Sequence, residues 1–111
     1  MIDLDQKQKE IIQNKKNHGW EIGDIKSEFL LLYGEVAEAY EAYYKNFDKE
    51  ALGSELADIG IYLLGISEML GFSLAQEIDK KMEINSHRIY KNVNGKVIKF
   101  DDRQQNKNAG N

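Results

Sequence analysis

Through the first ninety positions apolar residues recur three and four apart, the period of an α-helix, and no proline interrupts them. The pattern predicts four helices. The first runs from about Asp5 to His18, where Gly19 is free to take the left-handed conformation that closes a helix; its apolar content, Leu4, Ile11 and Ile12, is thin. GWEIGD reads as a connection, after which Asp24 caps a second helix reaching about Lys45. Asp48 caps a third over residues 51–70, stopped by Gly71 and carrying the stripe Glu55, Asp58, Ile59, Tyr62, Ile66, Met69. Ser73 and Gln76 form a capping box, so a fourth helix starts at Leu74 and extends to about Arg88. In YKNVNGKVIKF, Asn94 and Gly95 stand between alternating apolar residues, the chemistry of a two-residue hairpin turn. The expected organisation is an all-α domain over residues 1–90, a β-hairpin extension over 91–102 and a disordered tail over 103–111 without an apolar anchor.

The second helix is apolar on nearly every side. Leu31, Ala39 and Ala42 lie on one face, Phe29, Val36 and Tyr40 on another, and Leu30, Tyr33, Ala37 and Tyr44 on a third. A helix apolar all round is buried all round, and four short helices cannot enclose one of their number. The expected architecture is therefore a four-helix core assembling into an oligomeric helical bundle of identical chains.

Composition narrows the function. A chain of 111 residues has room for one domain, and a net charge of −4 argues against the clustered cations that track a nucleic acid polymer. No apolar run is long enough to span a bilayer and no secretory leader is apparent, so no membrane is expected and the cytoplasm is the expected location. With no cysteine, any catalytic metal must sit on oxygen or imidazole.

Four carboxylates supply the oxygen. Glu35 and Glu38 are three apart on the second helix, and Glu55 and Asp58 repeat that spacing on the third, so each pair projects from one helix face. Both faces lie inside apolar stripes, where like charges repel far more strongly than on a solvated helix. Scattered surface placement is the common fate of single acidic residues. Two such pairs on consecutive helices favour a shared site over that alternative. Glu28, earlier on the same stripe as Glu35, could extend the cluster but is assigned to the surface, as are Glu41, Glu68 and Asp79.

Oxygen-only ligands suit magnesium, with manganese as a substitute, and magnesium completes its shell with water and substrate phosphates. A ferritin-type di-iron site needs two ExxH sequences, and neither His18 nor His87 follows a glutamate by three residues. On the fourth helix Lys81, Asn85 and Arg88 share one stripe with Leu74 and Ile78, a placement that suits phosphate contacts, although long cationic stems also cover cores by snorkelling. Trp20, the single tryptophan, is a candidate for stacking on a nucleobase, although a lone tryptophan is more often a core anchor; Tyr62 is equally a candidate phosphate donor and a packing residue.

GEVAEAYEA, ELADIGIYLL and KMEINSHR together resemble the MazG-like, all-α nucleoside triphosphate pyrophosphohydrolases over roughly residues 15–90, on an ExxE…ExxD pattern met by Glu35, Glu38, Glu55 and Asp58. The wording is nearest the dCTP pyrophosphatase branch, in which a Trp precedes the ExxE helix and a KMxIN run follows, as Trp20 and residues 81–85 do here. The resemblance implies magnesium-dependent conversion of a nucleoside triphosphate, dCTP or a non-canonical dNTP, to its monophosphate and pyrophosphate, in dimers or tetramers with sites built from adjacent subunits. It also implies that Asn85 and Tyr62 help bind the nucleotide. One departure is that the base-contacting His expected near the first helix has no counterpart, because His18 sits too close to Trp20.

In the expected mechanism Glu38 is the catalytic base, and Lys81 and Arg88 neutralise the leaving pyrophosphate. The rival from another class is a non-enzymatic helical dimerisation module binding divalent cations or a basic partner. A third reading is the same chemistry on phosphoribosyl-ATP.

Overall fold

The computed structural model describes residues 2–20 and 22–103, in four helices followed by a two-stranded hairpin. Helix α1 spans Leu4–Asn17, α2 Ile25–Tyr44, α3 Lys49–Leu70 and α4 Leu74–Ser86; strands β1 and β2 span Arg88–Val93 and Lys96–Asp101. The chain divides into two compact units, Met1–Ala75 and Gln76–Asn111, so the boundary falls just inside α4. The all-helical class with a short C-terminal hairpin is as expected.

Most helix ends lie where local chemistry sets them. The side chains of Asp24 and Asp48 accept from the backbone amides of Ser27 and Glu50, and Gly71 ends α3 at φ 86°. Helix α1 starts slightly earlier than expected because Asp3, not Asp5, is its cap, accepting from Gln6. Helix α4 ends earlier, at Ser86, because the residues that follow are drawn into the β-ladder. That ladder is closed by Asn94 and Gly95, both at positive φ (52° and 81°), the conformation of a type I′ turn. Arg88 consequently heads β1 opposite Asp101 and is not on the α4 stripe with Lys81 and Asn85, which corrects the helical-wheel expectation.

In the first unit α3 is central and packs on both α1 and α2. The inward stripes follow a three-four spacing: Ile25, Glu28, Leu32, Glu35, Ala39 and Ala42 on α2, and Leu52, Glu55, Ile59, Tyr62, Ile66 and Met69 on α3. Helix α1 contributes Leu4, Gln8, Ile11 and Lys15. Buried Gly65 lets α1 come close, since a Cβ there would lie 3.4 Å from Ile11 Cγ2. Gln8 is wholly buried and fully employed: its amide donates to Glu68 (3.1 Å) and the Phe72 carbonyl (2.9 Å), and its oxygen accepts from the Leu74 amide (2.8 Å). Glu68, expected in solvent, is half-buried for that reason.

Among the described residues the buried set is Ala39, Leu64, Gly65 and Ile66 on the apolar side and Gln8, Glu28 and Ser67 on the polar side. The faces of α2 turned from α3 are open, with Leu30, Tyr33 and Tyr40 at 60%, 73% and 66% exposure. No single helix among the described residues is long and apolar enough to cross a membrane.

The second unit is organised around His87. Its Nδ1 bonds Asp102 (2.7 Å), its Nε2 bonds Glu83 (2.9 Å), and its carbonyl accepts from the Asp102 amide (2.7 Å), tying the end of α4 to the end of β2. Arg103 pairs with Asp101 and holds that carboxyl at about 2. The rest of the expected disordered tail lies outside the described residues.

The Glu83 bond, and secondly Asp102, raise the His87 pKa above the ordinary histidine value. A raised folded-state pKa means that the interaction stabilises fully below about pH 6.5 and is lost as pH rises through the folded value. An NMR titration of the His87 ring is expected to give a midpoint above that of an unstructured histidine, with amide protection of β2 declining over the same interval. A midpoint at or below the ordinary value removes this account.

Candidate metal centre

Helices α2 and α3 bring three of the four predicted ligands together. One carboxylate oxygen each from Glu35, Glu55 and Asp58 lies within 4.8 Å of the others. Glu35 and Glu55 occupy inward positions and are half-buried, while Asp58, one residue before Ile59 on the stripe, is exposed. The geometry follows from the seam: Glu35 is the residue between Leu32 and Ala39 on α2, and Glu55 the residue between Leu52 and Ile59 on α3. Glu38 is exposed and outside this trio, yet its charge bears on Glu35.

The two inward carboxylates are incompletely satisfied. Glu35 Oε2 and Glu55 Oε2 are, among the described residues, the buried side-chain polar atoms without a hydrogen-bond partner. Buried polar atoms are ordinarily bonded, and an orphaned one calls for an ion or another compensating group. Burial first, then the charges of Glu38, Asp58 and Glu55, raise the Glu35 pKa above the usual carboxylate range. Like charges crowded into one site push a carboxyl toward its protonated form unless a cation intervenes.

The donor set fits a hard divalent ion. All three donors are carboxylate oxygens, the preference of magnesium, manganese and calcium. Magnesium–oxygen bonds of about 2.1 Å place opposite ligands about 4.2 Å apart, so small side-chain rotations suffice to close these oxygens on one ion.

A cavity of about 350 Å³ lies beside the carboxylates, and both Trp20 and Tyr62 line it. The burial of Tyr62 and the charges of Glu35, Glu28, Asp58 and Glu38 raise its phenol pKa, so the ring that lines the cavity is also within electrostatic range of the carboxylates. Trp20 is 59% exposed and its ring stacks against His18 at 4.7 Å between centroids, so it is not a core anchor in the single chain. Lys81, Asn85 and Arg88 belong to the second unit, where Lys81 and Asn85 are exposed and Arg88 starts β1.

Two residues of this region escape sequence reasoning. Glu28, expected on the surface, is 8% exposed and ion-paired with Lys15 across the α1–α2 gap; both line the cavity. Its position seven residues before Glu35 is a signal for an inward side chain. Lys15 carries a weaker one: it lies four residues after Ile11 on the inward stripe of α1, inside the polar run QNKKN.

Neither a family model, nor a curated protein, nor a solved structure matches this chain.

Metal and pH act oppositely on Glu35. Because its folded-state pKa is raised, its protonated form stabilises below the ordinary glutamate range, and that contribution is lost as pH rises through the raised value. In EDTA, Glu35→Gln is expected to melt above the wild type at neutral pH, the difference closing as pH falls into the glutamate range. Magnesium at about 100 times its Kd is expected to add about 2.7 kcal/mol to the wild type, on the order of 10 °C in Tm, and to leave Glu35→Gln/Glu55→Gln unmoved. Equal magnesium shifts in both proteins, read by differential scanning fluorimetry, contradict the assignment.

Proposed function

We propose that the chain is a magnesium-dependent nucleoside triphosphate pyrophosphohydrolase, releasing a monophosphate and pyrophosphate. The observation that carries this reading is the pair of orphaned buried oxygens, Glu35 Oε2 and Glu55 Oε2, on two carboxylates that together with Asp58 offer oxygens within 4.8 Å of one another. The aromatic-lined cavity alongside and the ExxE…ExxD resemblance turn a metal site into a nucleotide site.

Glu35, Glu55 and Asp58 would hold a divalent ion, magnesium or manganese, which would supply positive charge for the triphosphate and lower the pKa of a water. Glu38, exposed beside Glu35 and outside the trio, takes the proton from the water as its oxygen adds to phosphorus and the bond to the pyrophosphate oxygen breaks. Tyr62 donates to the phosphate nearest the sugar, and Trp20 covers the base. Lys81, Asn85 and Arg88 enter through the sequence resemblance, as groups for the phosphates. The substrate class is dCTP or a non-canonical dNTP on the same resemblance.

The open apolar faces of α2 support the oligomeric half of the reading. Tyr33, Tyr40 and Leu30 leave more apolar surface in water than an isolated small unit ordinarily carries in one helix, and a second copy of the chain is the occupant proposed for it.

Glu38→Gln and Asp58→Asn are each expected to lower pyrophosphate release by at least about 100-fold with helical circular dichroism unchanged. Turnover that survives EDTA removes the metal mechanism. Divalent-ion binding without pyrophosphate release from any canonical or damaged triphosphate transfers the chain to the rival class, a helical dimerisation module. Light scattering at micromolar concentration is expected to give a dimer or tetramer mass, and a monomer mass overturns the assembly.

A further inference from the structure

The cavity beside the carboxylates has a composition that the metal site alone leaves unexplained. At about 350 Å³ it sits at the lower end of the roughly 300–1,000 Å³ of small-molecule sites, room for one flat head group. Its walls are apolar and aromatic: Leu31 and Ile61, Trp20 and Tyr62. Set into them is a single charged pair, in which Lys15 Nζ donates to Glu28 Oε1, with side chains only 17% and 11% exposed. A pair this buried is often replaceable by apolar residues without loss of stability, so stability is a weak reason for its presence.

The pair has hydrogen-bonding capacity beyond their own contact. An ammonium carries three donors and a carboxylate about four acceptor sites, and the bond between them uses one of each. The cavity therefore offers a donor directly beside an acceptor, against aromatic walls. Glu28 and Glu35 lie seven residues apart on one face of α2, about 10.5 Å along the axis. That is the separation of a base from its phosphates within one nucleotide. Tyr62 lines the cavity and lies close enough to both glutamates to feel their charges.

We infer that Lys15 and Glu28 read the head group of the substrate, fixing in this cavity a heteroaromatic ring that presents a hydrogen-bond donor next to an acceptor, the edge of a nucleobase. The inference rests on the pyrophosphohydrolase reading for the triphosphate attached to that ring. Discrimination among bases then comes from which side of the cavity holds the ammonium and which the carboxylate.

The test uses Trp20, the single tryptophan, whose fluorescence reports on the cavity without any turnover. The full chain is titrated, without divalent ion, with CMP, UMP, GMP and AMP. Saturable quenching is expected, with one base preferred. The exchange Lys15→Glu/Glu28→Lys keeps the ion pair but inverts its polarity, and is expected to reorder the bases by about 10- to 100-fold in relative affinity. Glu28→Gln is expected to flatten the preference. Should the exchanged protein fail to show native circular dichroism, Lys15→Arg, which keeps the pair and moves the donors, is read for the same reordering. A pair with a merely structural role shifts all four affinities together and leaves their order intact.

An unchanged order in these variants, or no quenching by any of the four, overturns the inference. Pyrophosphate release from the matching triphosphates is followed in parallel. Hydrolysis that keeps its base preference in the variants sinks the inference and leaves the enzyme standing; selective quenching without hydrolysis of any triphosphate does the reverse.

Discussion

Placing carboxylates in the packed seam between α2 and α3 is the constraint on which the rest of this molecule depends. The three-four spacing assigns apolar side chains to that seam, yet Glu28, Glu35 and Glu55 occupy it, and Gln8 and Lys15 occupy the corresponding stripe of α1. Each intrusion has a cost that something must offset. Gln8 is satisfied at every polar atom by Glu68, Phe72 and Leu74, and Glu28 by Lys15. Glu35 and Glu55 each keep a buried oxygen without a partner. The contrast within one three-helix unit is informative: the chain satisfies its buried polar groups elsewhere and leaves these two open where a third carboxylate is within reach. That contrast is what supports the proposed cation site.

The same constraint bears on assembly. A seam given over to charge contributes little apolar burial, and the buried apolar side chains among the described residues are few: Ala39, Leu64 and Ile66. Apolar surface has not been lost from the sequence, however, only displaced to the outer faces of α2 and to residues such as Leu56 and Leu70 on α3. Covering those faces with a second copy, as proposed, restores the burial that the acidic seam forgoes. The over-apolar second helix and the under-apolar core are two aspects of one distribution.

How much of this was legible in the sequence follows the range of the forces involved. Helix ends set by local chemistry were readable: Asp24, Asp48, Gly71 and the Asn94–Gly95 turn all act within a few residues of themselves. The end of α4 was not, because the competing structure is a ladder whose second strand lies beyond the turn. The inward positions of Glu35 and Glu55 were readable because periodicity places them on facing stripes, whereas the exposure of Asp58 and Glu38 depends on which edge of each stripe meets the other helix. Lys15 was hard to read, since its neighbours Asn14 and Lys16 are as polar and its pairing with Glu28 is a tertiary contact. The shared cavity of Trp20 and Tyr62 joins residues from a connection and from a helix two elements apart, which no local pattern reports.

Periodicity also explains why the cavity and the carboxylate trio are neighbours here. Residues seven apart return to nearly the same helix face, so Glu28 and Glu35 share one side of α2 while Glu55 and Tyr62 share the facing side of α3. The seam thereby acts as a ruler with two marks: carboxylates at one level, and the paired charge with its aromatic walls about two turns away. Tyr62, which lines the cavity and senses the charges of both levels, links the marks. A single residue inserted between Glu28 and Glu35 rotates one about 100° relative to the other and removes Glu28 from the cavity without touching a metal ligand. In the proposed reading, recognition and chemistry are thus held in register by the helix repeat itself, and the seam that weakens the core is what keeps them aligned.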